Sequence, residues 1–232
     1  MSTYVLVPGF FFGPWVWEET GRVLREAGHE VRIVALTGQG SGSTEGVGVE
    51  THVADILGRI DEDVVLVLHS GATIAGTAAA DRVPGKLRHL VYVDTAPFPD
   101  GMAQIEFLPP EVQAAQREQI RVEGHLPPPA FDDPSVLGGL TPDDLERMRR
   151  LATAQPAPLV LEPARRPDPV PATPRTLIAS SFSVDQVRAM VDAGVPAFSM
   201  LAGPGWTMLD LPTGHWPMLS RPGDLAGMLR QI

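Results

Sequence analysis

The chain has 232 residues, 44% hydrophobic and 20% charged, values that exclude a disordered or fibrous chain and allow one large core. Its formal charge of −10 argues against nucleic acid or an anionic membrane as the main partner, because both reward positive charge. The absence of cysteine excludes a disulfide framework, a thiolate metal site and a cysteine nucleophile. No apolar run reaches about 18 residues, so no membrane span is expected. The segment Met1–Val7 lacks the basic start of a signal peptide, and the expectation is a soluble, cytoplasmic protein.

Tyr4–Val7 reads as a buried strand ending at Pro8-Gly9, and Trp15–Ala27 as a helix stopped by Gly28. Val31–Leu36 predicts a second strand, the Gly/Ser/Thr-rich stretch 37–48 a loop, and Val53–Ile60 a second helix. Val64–Leu68 is a near-continuous β-branched run, as in a central parallel strand covered on both faces. A small-residue helix over Gly71–Arg82 and a strand over Leu87–Val93 follow. Strands alternating with helices imply βαβ units, hence a three-layer α/β sandwich with ligands at the carboxyl ends of its strands.

Composition shifts at Pro97. Residues 99–172 are dense in proline and hold short helical fragments, Pro110–Ile120 and Thr141–Ala154, with no strong strand. They read as a helical cap inserted in a core formed by 1–98 and 173–232. The sheet resumes at Arg175–Ala179 and Trp206–Leu211, with helices near Val184–Ala193 and Pro222–Gln231, for about six strands in all.

The most informative stretch is Leu68-His69-Ser70-Gly71-Ala72, where a buried strand runs straight into a helix. Such a turn exposes the serine Oγ and leaves the next amide unpaired at a helix N-terminus. Ser70 is then a candidate nucleophile and Gly71 an oxyanion donor. The alternative is that Ser70 simply caps the helix. Against the usual Gly-x-Ser-x-Gly, both outer glycines are replaced, and bulky Leu68 demands an explanation of how the elbow packs.

Gly214-His215 follows the last strand, where an imidazole can reach the serine, and serine-before-histidine is the chain order of such sites. After the first strand, the amide of Phe10 is placed to be the second oxyanion donor. The neighbouring aromatics suit an apolar pocket, with Phe10 nearest the substrate and most of Phe11, Phe12 and Trp15 plugging the core. Phe11, His69 and Trp216 are named as pocket residues, although His69 itself reads first as a packing residue. The other histidines show no metal-ligand spacing, and no dinucleotide or phosphate-loop fingerprint is present.

Pro8-Gly9 with Trp15, the Ser70 elbow, Tyr92-Val93-Asp94, Pro99-Asp100-Gly101 and Gly214-His215 together resemble the α/β-hydrolase superfamily. The resemblance covers essentially the whole chain and looks closest to the small bacterial esterase and hydroxynitrile-lyase-like branch. It implies a Ser-His-acid triad, a two-amide oxyanion hole and a cap. The superfamily usually takes its acid from just after the penultimate strand, but Ser181–Ser183 stand there and Asp185 comes slightly late. Some members take it from the strand after the elbow helix, where Asp94 stands. Asp94 is taken as the acid, with Asp185 or no acid at all as the alternatives.

The leading functional expectation is hydrolysis of a carboxylic ester or lactone of a small to medium apolar molecule, with no cofactor or metal. A non-hydrolytic lyase or cyclase using the same pocket, and a catalytically dead binding protein, are the competing readings. A homodimer is left open.

Overall fold

The computed structural model describes residues 1–40 and 44–232. Its main sheet has six parallel strands in the order β2-β1-β3-β4-β7-β8. These are β1 Thr3–Val7, β2 Glu30–Ile33, β3 Val64–His69, β4 Leu87–Val93, β7 Arg175–Ala179 and β8 Trp206–Asp210. Alternate residues of the strands feed two separate cores. Val5, Val7, Leu66, Leu68 and Tyr92 face one side, Tyr4, Leu6, Val65, Val67 and Val91 the other. Both faces are therefore apolar, which is why β3 reads as a continuous hydrophobic run. Helices α2 (Val49–Leu57) and α3 (Thr73–Arg82) pack together, as do α1 (Glu18–Glu26) and the last helix, Pro222–Leu229.

Some element boundaries differ from expectation, and one strand pair is added. The second helix starts at Val49 rather than Val53, because Val49, Val53 and Ile56 form its buried stripe and the Gly48 amide donates to Thr51 Oγ1 (3.2 Å). The second strand ends at Ile33; Val34 and Leu36 are apolar because they are buried, not because they extend the ladder. The proline-rich stretch also holds a pair of two-residue strands, β5 His125–Leu126 and β6 Gln155–Pro156.

Within 99–172 lie α4 (Pro110–Glu123), α5 (Pro142–Leu151) and α6 (Ala157–Leu161). A small cluster of Ile105, Ile120, Leu126 and Val160 is completed by Phe10 and Phe11 from the loop after β1. The segment thus shares its core with the sheet edge. A buried ion pair, Arg166 Nε to Asp81 on α3 (2.7 Å), ties its far end down.

Leu68 is accommodated by a glycine elsewhere. It is fully buried, and a Cβ built on Gly76 of α3 would lie 2.3 Å from Leu68 Cδ2. The close approach that the elbow glycine usually allows is here provided from the helix. Gly76→Ala should therefore destabilise the fold by about 1–3 kcal/mol through overpacking, despite the better helix propensity of alanine. In a Leu68→Ala background the same change should be neutral or stabilising. Denaturant unfolding of the two singles and the double would measure that coupling, and additive effects would refute it.

Candidate active site

The sheet order reverses at β1, which lies between β2 and β3, so the loops after β1 and β3 diverge at one carboxyl edge. They remain close at their start. A Cβ on Gly9 would come within 2.9 Å of Ser70 Cβ and 2.8 Å of His69 Nδ1, so only glycine fits.

Two residues immediately past a strand end have left-handed backbone: Ser70 after β3 (φ 49°) and Asp94 after β4 (φ 48°). Such conformations cost on the order of 1–3 kcal/mol for residues other than glycine and cluster at functional sites. Ser70 opens a short 3₁₀ turn, Ser70–Ala72, that leads into α3. Its side chain does not cap that turn; Ser70 Oγ lies 2.8 Å from His215 Nε2. His215 Nδ1 lies 2.6 Å from Asp94 Oδ2.

The chemistry fixes the protons. The Asp94 carboxylate only accepts, so Nδ1 of His215 carries the hydrogen and Nε2 of the neutral ring is free to accept from Ser70. Asp94 is fully buried at its side chain. Burial opposes its ionisation. The bond and charge of His215, the Ser181 hydroxyl and the Ser180 amide outweigh that and hold its carboxyl below the usual carboxylate range. Asp94 Oδ1 accepts the amides of Ser180 (2.8 Å) and Ser181 (2.9 Å), and Oδ2 accepts the Ser181 hydroxyl (2.6 Å). Residues 181–183, which stand where an acid was expected, therefore include a serine that anchors the acid. Strands β4 and β7 are neighbours in the sheet, with Val93 opposite Ile178, so the two positions for an acid are side by side. Asp185 is not brought to the site: it is exposed on α7 (Val184–Asp192) and pairs with Arg188.

His215 sits in a loop held from the inserted segment, its amide donating to Val136 O (2.7 Å) and that of Gly214 to Gly138 O (2.8 Å). From below, His69 Nε2–H donates to the His215 carbonyl (2.8 Å). His69 is not a pocket residue: it is buried beneath the site, against Trp17 and the His215 ring. Burial, helped by the nearby His215, pushes its pKa down to about 3, so it stays neutral.

A cavity of about 230 Å³ opens over Ser70, the space of about eight water molecules. Phe10, Phe11, Gly71 and Trp216 line it, together with Ser70 and His215. Residues 99–172 supply the opposite wall, including Ile105, Leu108, Leu126 and Val160, with two carboxamides, Gln104 and Gln116. These were not singled out in the sequence, because nothing in a proline-rich stretch tells which side chains turn inward. Phe12 instead packs against Trp15, Phe131 and Trp216. The Phe10 amide donates to no group among the described residues, and Gly71 is in the first turn of its helix, where amides lack helical partners. Among the described residues no cluster of three or more His, Asp or Glu could hold a metal ion, and no helix is long and apolar enough to cross a membrane.

The family model for the alpha/beta hydrolase family matches residues 4–228. The chain belongs to that family. This hydrolase is 32% identical to a carbendazim hydrolyzing esterase of Nocardioides sp. (strain SG-4G) over the full length of both chains. It is 30% identical to methylesterase 9 of Arabidopsis thaliana over 66% of its own length and 62% of the relative's. Among solved structures, the hydrolase superimposes on an extracellular alpha/beta-hydrolase from a Paenibacillus species with a TM-score of 0.84. That match has 17% identity and covers 100% of this chain and 98% of the other, a likeness of fold.

Proposed function

We propose that this hydrolase is a serine carboxylesterase that cleaves methyl or other small-alkyl esters of compact, largely apolar acids through an acyl-enzyme on Ser70. The observation that carries this reading is the hydrogen-bonded chain from Ser70 Oγ through His215 to Asp94. The relatives named esterase and methylesterase support ester hydrolysis as the chemistry.

In the proposed cycle, Nε2 of His215 takes the Ser70 proton as Oγ attacks the acyl carbon. Negative charge develops on the acyl oxygen and is met by the amides of Phe10 and Gly71, donors of a kind worth about 2.7–4 kcal/mol each. The imidazolium, stabilised by Asp94, protonates the departing alcohol. Water then enters, gives its proton to His215, and releases the acid and free Ser70. Residues 99–172 act as a cap: they make the wall opposite Ser70 and limit the acyl part to about one ring.

A fluorophosphonate probe should label Ser70 and no other residue, as mapped by peptide mass spectrometry, and prior exposure to a methyl arenecarboxylate should slow the labelling. A folded protein that takes no label would overturn the reading.

A further inference from the structure

The cavity wall contributed by residues 99–172 is apolar except at two places. Gln104 lies in the 3₁₀ turn Gln104–Phe107 and Gln116 in the middle of α4. Neither carboxamide hydrogen-bonds to any group among the described residues. For Gln104 this is costly, because its Oε1 is buried and without a partner. Buried polar atoms in folded proteins are nearly always paired, and each exception calls for an explanation. A leucine or methionine would line an apolar pocket without that penalty. Besides His215, no titratable side chain lines the cavity, so it offers no fixed cation to an anionic substrate.

We propose that Gln104 is a specificity residue that reads a neutral hydrogen-bonding group on the acid part of the substrate, with Gln116 as a second contact nearer the adjoining groove that it also lines. This rests on the esterase reading and narrows it. The substrate class is a small-alkyl ester of a compact, largely apolar acid that carries an uncharged N–H, O–H or C=O group. A carboxamide both donates and accepts, so it pairs with any of these. A carboxylate at the same place would be desolvated without a counter-charge and is rejected.

The test compares matched substrates: methyl 3- and 4-hydroxybenzoate, the 3- and 4-methylbenzoate isosteres, and monomethyl isophthalate. In the wild type at least one hydroxy ester should exceed its methyl isostere in kcat/KM by about 3- to 10-fold, the range of one neutral hydrogen bond. A plain apolar wall would favour the methyl compound. Gln104→Leu should invert the preference and Gln116→Leu should weaken it; the ratio is measured within each protein, so partial loss of stability does not mimic it. Monomethyl isophthalate should be at least about 100-fold poorer. A wild type that prefers the methyl esters, or a preference that survives Gln104→Leu intact, overturns the assignment of Gln104 and leaves the esterase standing. Labelling of Ser70 with no turnover of any of the five esters also overturns it. No turnover and no labelling of Ser70 overturns the esterase reading itself.

Discussion

Ser70→Ala is expected to lower kcat on a methyl ester by about 10⁶-fold while the protein stays folded and still binds the ester. The size follows from the role proposed for Ser70 Oγ: without it no acyl-enzyme forms, and only the oxyanion donors and substrate positioning remain. The Ser181 hydroxyl, which also touches the Asp94 carboxylate, is committed to Asp94 Oδ2, whereas His215 Nε2 pairs with Ser70 Oγ. It offers no substitute nucleophile. Single-turnover measurements would separate chemistry from product release. An Ser70→Ala protein with a tenth or more of the wild-type rate would refute a serine nucleophile and return the pocket to lyase-type or water-mediated chemistry.

Asp94→Asn should cost about 10⁴-fold in kcat, because of the hydrogen bonds that fix the orientation of this side chain. Asp94 Oδ1 accepts two backbone amides, from Ser180 and Ser181, so the amide oxygen of asparagine must occupy that place. Its NH₂ group then stands where Oδ2 was and points a donor at His215 Nδ1. Nδ1 becomes the acceptor, the ring proton moves to Nε2, and Nε2 can no longer take the proton of Ser70. A factor of 10⁴ is about 5.5 kcal/mol in the barrier, more than loss of charge at a distance explains. Asp185→Asn, at an exposed ion pair on α7, is expected to leave kcat unchanged. The reverse pattern in steady-state assays would show that the acid lies elsewhere.

Much of this is legible in the sequence. The β-branched run at 64–68 and the serine at its end specify a buried strand and an exposed hydroxyl, because strand burial and turn geometry are local consequences of residue type. The pairing of Ser70 with His215 follows from chain order. What was not legible is instructive. Leu68 looked incompatible with a tight elbow until Gly76, eight residues on, was seen to leave room for it. His69 reads as a packing residue beside the elbow, but only the structure shows that its side chain turns under the sheet edge to hold the His215 carbonyl.

By itself, then, the sequence determined the layered α/β architecture, the strand–serine–helix elbow and the histidine that meets it. These depend on periodicity, on turn chemistry and on order along the chain. Only the tertiary structure decided which carboxylate completes the site, since Asp94 and Ser181 are far apart in sequence and adjacent only because β4 and β7 pair across the whole insertion. It alone decided which side chains of the proline-rich segment face Ser70. That segment is dense in proline and has little core of its own, so which of its side chains face the site is set by packing on Phe10 and Phe11.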